Sequence, residues 1–508
     1  MMITERGRVD RRWFLRSAGL GAAVLALPRL GIAKGRGGRR PNILFMMSDD
    51  QRWDAMGCMG NAVIRTPNMD RLAAEGVLFK NAFLTTSICM ASRASVMLGQ
   101  FESRHRCNFE RPSNMTISYA EFENSYPRLL QRAGYRTGFI GKFGFAVTKE
   151  KILNCPLKPD GSRDSRAQLW RKQEFMPGDK FDFWRGFTGQ GSYFPEGKSG
   201  RHLTRIMSDQ AVEFFEGCTA DRPFCLSISF KAPHGPTQPD PALGDMYEGV
   251  EIPRQANDGD RYFEKLPAFV REHWRGRRVY NSEASPQNYQ AFMRRYYRCI
   301  SGIDAAIGRI RDALRRLKLA DNTVIIYTSD NGYFCGSKGL GGKALPYEES
   351  VRAPLIIFDP RLGGSMRGRR PSQLAANIDL APTMLEIAGL ETPPMMQGAS
   401  LLALVEGRKI KWRDSIFLEN NFTSHFMPAL RDAGEQRDEV AELSVRSRAV
   451  RTGRWKYIRY FEQRPVFEEL FDIQKDPMET LNLAGKPEHA ATLIRLRKLC
   501  DELAERAR

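Results

Sequence analysis

The chain has 508 residues, 42% hydrophobic and 27% charged, and its 78 Lys and Arg against 59 Asp and Glu give a formal charge of +19. That length exceeds one ordinary hydrophobic core and predicts a large domain plus a smaller one. Composition matches globular usage, no stretch beyond the N-terminus is apolar enough to span a bilayer, and the charge favours polyanionic partners without choosing among them.

In chain order, Asp10-Arg11-Arg12-Trp13-Phe14-Leu15-Arg16 followed by a mildly apolar Ser17 to Leu27 reads as a twin-arginine export signal spanning 1–33, with cleavage after Gly31-Ile32-Ala33. This predicts a bacterial periplasmic or secreted protein handled by the twin-arginine export machinery. Asn42 to Met47 reads as the first buried strand. A helix follows, with Thr66 as N-cap, Pro67 at its first position and Gly76 just beyond its end. Cys89 stands three residues before Ser92-Arg93 and at the head of an apolar helical stretch. It is either a small buried hydrophobe or a group at a helix start, where backbone N–H groups and an arginine attract an anion.

Further strands are expected at Thr137 to Gly141, Pro223 to Phe230, Thr323 to Thr328 and Pro354 to Phe358, alternating with helical patterns as in a mostly parallel sheet. Lys149 to Gly200 and Gln238 to Pro286, rich in Pro, Gly and charge, read as long insertions that shape a substrate site. Near Glu406 the pattern changes to short β-like runs. A terminal helix follows with Leu493, Leu496, Leu499 and Leu503 on one side. The division is therefore 1–33 signal, 34–405 large α/β domain and 406–508 C-terminal α+β subdomain. Nine cysteines show no CxxC or zinc-like spacing, and nothing in their placement says that any of them pair.

Polar groups follow the predicted strands: Ser48-Asp49-Asp50, Lys142, Lys231-Ala-Pro-His234 and Ser329-Asp330-Asn331-Gly332. Ligands of open parallel sheets bind outside the carboxyl ends of the strands, so these groups should meet on one rim. Each alone reads equally well as a turn. Together Asp49, Asp50, Asp330 and Asn331 offer oxygens suited to a hard divalent cation, Ca²⁺ or Mg²⁺.

Cys89-Met90-Ala91-Ser92-Arg93 matches the Cys/Ser-x-Pro/Ala-x-Arg signature of the formylglycine-dependent sulfatases of the alkaline phosphatase superfamily, which this sequence resembles. Ser48-Asp49-Asp50, Gly141-Lys142, Ala232-Pro-His234, Ser329 to Gly332, Gly342-Lys343 with Tyr347 to Leu355, Arg454-Trp-Lys456 and Leu470 to Pro477 extend the likeness over nearly the whole mature chain. The resemblance implies an alkaline-phosphatase-like α/β fold: a mixed, mostly parallel sheet flanked by helices, with a smaller C-terminal α+β domain. It implies that a formylglycine-generating enzyme oxidises Cys89 to formylglycine. One hydroxyl of the hydrated aldehyde would attack the sulfur of a sulfate ester, and the second would expel inorganic sulfate.

By the same resemblance Asp49, Asp50, Cys89, Asp330 and Asn331 would hold the cation, and Asp330 would act as base. Arg93 would steady the nucleophile, Lys142 and Lys343 would bind sulfate oxygens, and His234, assisted by Lys343, would protonate the departing alkoxide. Two positions depart from the family pattern. Gly144 stands where relatives carry a histidine that accepts the second hydroxyl's proton, which leaves that task to His105 or a water. Lys338 stands where many relatives have histidine and is, with Arg352, a candidate substrate contact. The expected substrate is a sulfated carbohydrate, with no nucleic-acid partner and no stable membrane span in the mature chain. Hydrolysis of phosphonate monoesters or phosphodiesters, and binding of sulfated glycans without cleavage, are the competing readings.

Overall fold

The computed structural model describes residues 39–108, 116–151, 169, 171–197, 200–421 and 444–508. The expected export signal and Cys155 lie outside the described residues. Among those described, seven strands form the main sheet: β1 (Asn42–Asp49), β2 (Val77–Leu78), β3 (Arg136–Lys142), β4 (Phe183–Phe187), β5 (Phe224–Pro233), β6 (Thr323–Ser329) and β7 (Leu355–Phe358). Their order is β2-β7-β6-β1-β5-β3-β4. β1 runs parallel to β5 and β6, and β3 parallel to β5 and β4, whereas β7 is antiparallel to both β6 and β2. The sheet is mixed and mostly parallel, as expected.

Period-two alternation explains why β1 is apolar from Ile43 to Met47. Ile43, Phe45 and Met47 enter one core with α2 (Cys89–Leu98), α3 (Tyr126–Arg132) and α6 (Leu380–Ile387). Leu44 and Met46 enter another with α1 (Pro67–Glu75), α4 (Leu203–Glu216) and α5 (Tyr289–Arg316). A strand covered by helices on both faces has no polar side to show. α1 starts and stops where its punctuation indicated, for other reasons than capping. Thr66 Oγ1 accepts from the Gly57 amide at 2.9 Å and donates to Asp70 Oδ1 at 3.1 Å instead of capping its own helix. Gly76 is demanded by space, since a Cβ there would lie 2.7 Å from the Ile357 carbonyl oxygen.

The C-terminal region builds a four-stranded antiparallel sheet from β8 (Ser415–Asn420), β9 (Ser447–Thr452), β10 (Trp455–Tyr460) and β11 (Phe467–Asp472). Ile416, Leu418, Ala449 and Ile458 pack toward Phe83, Ile88, Phe334 and Tyr347 of the large region. The alternate residues Phe417, Val450, Tyr457 and Leu470 pack on α7 (Ala490–Arg506). The buried stripe of α7 is Leu493, Leu496, Cys500 and Ala504, with Leu499 and Leu503 only half-buried at its edge. A second correction concerns 149–200. Phe183–Phe187 within it is the edge strand β4, whose half-exposed residues show no alternation to read.

Candidate active site

β1 and β6 are in register from Asn42 with Thr323 to Ser48 with Ser329, so both release their acidic residues at the same height. The Asp330 amide donates to the Ser48 carbonyl at 3.0 Å, and the Asp50 amide to Asp330 Oδ1 at 3.2 Å. Asn331 Nδ2 donates to Asp50 Oδ1 at 2.5 Å. Three predicted ligands from two distant segments, Asp50, Asp330 and Asn331, are thereby stitched together by backbone and side-chain bonds.

Arg93, one turn into α2 and 2% exposed, binds the cluster. Its Nε and Nη2 lie 2.9 and 2.8 Å from Asp330 Oδ2, and Nη2 lies 3.4 Å from Asp49 Oδ2. Nη1 donates to the Lys142 carbonyl at 2.8 Å and to Ser229 Oγ. Burial opposes the charge of Arg93, but Asp330, Asp49 and Cys89 outweigh it and raise its pKa. Cys89 is the first residue of α2, 4% exposed, and lies within electrostatic reach of both Arg93 and Lys343.

Lysines close the ring. Lys142 Nζ, at the end of β3, is 2.5 Å from Asp49 Oδ2 and 2.6 Å from Gln190 Oε1. Lys343 Nζ donates to Asp50 Oδ1 and lies 3.8 Å from Asp49 Oδ1. Burial disfavours the Lys343 charge, yet Asp50, Cys89, Asp49 and Asp330 raise its pKa, so it stays protonated. His234 Nδ1 donates to the Gly235 carbonyl at 2.6 Å and turns Nε2 to within 3.8 Å of Asp50 Oδ2. Burial lowers its pKa to about 4 against the pull of Asp49 and Asp50. Burial also opposes ionisation of Asp49, but Lys142, His234, Arg93 and Lys343 hold its carboxyl well below the usual range. Asp330 is pushed up to about 6 by burial and by the neighbouring Asp49 charge.

Two oxygens in this network, Asp49 Oδ1 and Asn331 Oδ1, both buried, have no hydrogen-bond partner among the described residues, and Arg93 Nη2 has only its ion pairs. An orphaned buried oxygen costs stability unless something binds it. Asp49, Asp50 and His234 offer ligand atoms within 4.8 Å of one another. The donor set fits a hard divalent cation, with His234 closer to the carboxylates than its proposed acid role alone had indicated.

Three candidates fall elsewhere. His105 is buried beneath α2 with Nε2 at 2.9 Å from Ser95 Oγ and Nδ1 accepting from the Cys107 amide at 3.0 Å, so neither ring nitrogen is spare to replace the absent histidine. Lys338 neither contacts the cluster nor faces solvent. It is 2% exposed and donates to the carbonyls of Met478 and of Glu479, the latter at 2.8 Å. The Arg352 guanidinium lies 3.7 Å over the Trp53 ring and donates from Nε to the Lys80 carbonyl at 2.9 Å. Gly144 has φ +97°, and a Cβ there would lie 2.6 Å from Arg93 Cδ. Arg93 therefore fills the space that a side chain at 144 would need.

Sequence reasoning missed Gln190 and Tyr193. Tyr193 donates its hydroxyl to the His234 carbonyl at 2.8 Å. Both come from the Gly-rich insertion, where no local pattern marks a contact made only in the folded state.

Residues 41–390 match the family described as Sulfatase, and residues 336–506 match N-sulphoglucosamine sulphohydrolase, C-terminal. An N-acetylglucosamine-6-O-sulfatase of Bacteroides thetaiotaomicron is 29% identical over 91% of this chain and 86% of its own. An arylsulfatase of Clostridium perfringens is 29% identical over 91% of this chain and 93% of its own. A protein solved in complex with its substrate D-glucosamine-2-N,6-O-disulfate superposes with a TM-score of 0.71 at 28% identity, covering 92% of this chain and 98% of that one. The phosphonate monoester hydrolase of Agrobacterium radiobacter superposes with a TM-score of 0.76 at 23% identity, covering 92% of this chain and 96% of its own, a likeness of fold.

Proposed function

Given that the chain belongs to the sulfatase family and is a sulfuric ester hydrolase, we propose that it removes sulfate from a sulfated saccharide, with position 89 oxidised to formylglycine by a formylglycine-generating enzyme. The observation that carries this is the pair of orphaned oxygens, Asp49 Oδ1 and Asn331 Oδ1, inside a lysine-ringed cluster within electrostatic reach of Cys89. Asp49, Asp50, Asp330 and Asn331, with position 89, would hold Ca²⁺ or Mg²⁺, which polarises sulfate oxygens and lowers the proton affinity of the nucleophile.

The protein's own groups divide the remaining work. Lys142 and Lys343, charged and fixed by Asp49 and Asp50, face the sulfate oxygens, where charge must be offset in the transition state. Arg93 holds Asp330 in place and keeps α2 docked on the strand ends. Asp330, held by Arg93 of α2, is placed to accept the nucleophile's proton. His234 presents Nε2 to the leaving oxygen because Nδ1 is committed to the Gly235 carbonyl. Burial leaves Nε2 unprotonated in the free site, so His234 acts as acid only after the substrate's negative charge has drawn a proton to it; Lys343 carries its proton from the start. With neither a histidine at 144 nor a spare nitrogen on His105, a water accepts the second hydroxyl's proton.

The saccharide assignment rests on the sulfated-sugar relatives and on the positive charge of the chain. Export by the twin-arginine route to the periplasm or medium follows from the N-terminal sequence. Among the described residues no helix is long and apolar enough to cross a membrane. Sulfate release from a panel of defined sulfated saccharides, with protein from a host that makes formylglycine, tests the reading. Release from at least one saccharide is expected, together with a formylglycine mass at position 89. Preference for aryl phosphonates, or unmodified Cys89 in active protein, overturns it.

A further inference from the structure

Lys142 and Lys343 are committed lysines: the first spends donors on Asp49 and Gln190, the second on Asp50. An ammonium has three donors, so Lys142 keeps one and Lys343 at most two for a tetrahedral anion that offers several acceptor oxygens. Lys231 is differently placed. It lies on β5 three residues before His234, is 3% exposed, and feels the charges of Asp49, Asp50 and Lys142. Among the described residues its ammonium has no hydrogen-bond acceptor and no carboxylate at ion-pair distance. Its contact is the face of Tyr193, 4.9 Å from the ring centroid.

Tyr193 is a fixed platform. Its hydroxyl is held by the His234 carbonyl and its ring stacks on His202 with centroids 5.3 Å apart. A cation–π contact steers an ammonium but leaves its N–H donors unspent. The side chain is buried along its length while the tip keeps its donors unspent, which places them to take the oxygens of an anion.

We infer that Lys231 is a third cationic contact for the substrate's sulfate, beside Lys142 and Lys343. The inference rests on the sulfatase reading for the identity of the anion, but its test does not depend on turnover. A purely structural role for Lys231, packing on Tyr193 and balancing Asp49, predicts different results.

The test uses the full-length chain with Ca²⁺ present. The Cys89→Ser protein is titrated with inorganic sulfate and the rise in melting temperature is followed, with and without Lys231→Met. In the formylglycine-containing enzyme, product inhibition by sulfate is measured beside kcat and KM. Losing a hydrogen bond to a charged group predicts sulfate binding weaker by about ten- to a hundredfold in Lys231→Met, with Ca²⁺ affinity unchanged. Lys231→Arg, which keeps the charge, retains part of the sulfate response, and Lys231→Gln replaces the methionine variant if that protein does not fold. Sulfate binding equal to the parent's in the neutral variants overturns the inference. So does a loss confined to melting temperature or Ca²⁺ affinity. If the parent cleaves no sulfate ester while its sulfate response still needs Lys231, the hydrolase reading fails and the anion contact stands.

Discussion

Gly144→Ala places a methyl group where Arg93 already is. The backbone there has φ +97°, a region that costs an L-residue about 1–3 kcal/mol, and the new Cβ would sit 2.6 Å from Arg93 Cδ. Arg93 cannot swing aside cheaply, because its guanidinium is fixed by Asp330, Asp49, the Lys142 carbonyl and Ser229. Overpacking adds about 1–3 kcal/mol. The total, about 2–6 kcal/mol, is a large part of the 5–15 kcal/mol typical of a folded domain. Displacing the guanidinium by about 1 Å also misplaces Asp330, which predicts a loss of about a hundredfold in kcat/KM. Thermal unfolding beside hydrolysis of an aryl sulfate measures both effects. Gly144→His, which restores the residue common in relatives, should fail for the same reason. A Gly144→His protein with the parent's melting temperature and equal or higher turnover would refute the steric account.

Chelation with EDTA should abolish hydrolysis and lower the melting temperature, because Asp49 Oδ1 and Asn331 Oδ1 are left without a partner; re-addition of Ca²⁺ or Mg²⁺ should restore both. Gln190→Leu releases Lys142 from one of its two anchors, and a drop in kcat/KM of about tenfold is expected with the fold intact by circular dichroism. Glu469, buried and pushed up to about 7 from 4.5 although it accepts from the Tyr347 and Tyr460 hydroxyls, binds its proton more tightly folded than unfolded. Its ionisation therefore costs stability, which falls as pH rises from 4.5 to about 7 and no further above. Glu469→Gln should remove that slope and gain up to about 3 kcal/mol at pH 8 but nothing at pH 4, as read by denaturant titration.

The strands were legible because β1, β5 and β6 are buried on both faces and their sequences carry little else than apolar residues. The rim was legible for a topological reason: parallel strands put their C-terminal residues at one end, so Asp49, Asp50, Asp330, Asn331 and Lys142 had to meet. β4 was not legible, since an edge strand with half-exposed residues has no period to detect. Tyr193 and Gln190 were hidden because a loop's partners are set by tertiary placement. Lys338 and His105 show the converse. A cation and an imidazole near catalytic motifs invited functional roles, and packing against carbonyls, a serine and a backbone amide claimed them instead.

Lys338 also ties the far end of the polypeptide to the chemistry. Its ammonium is gripped by main-chain oxygens of Met478 and Glu479, while Glu479 itself pairs with Lys456 at 2.7 Å and accepts from the Glu348 amide at 2.8 Å. Five residues after Lys338 comes Lys343. The trailing hundred or so residues thus act as a buckle on the segment that delivers a reactive ammonium to Asp50, and clipping them off would slacken that delivery even if the large sheet stayed intact.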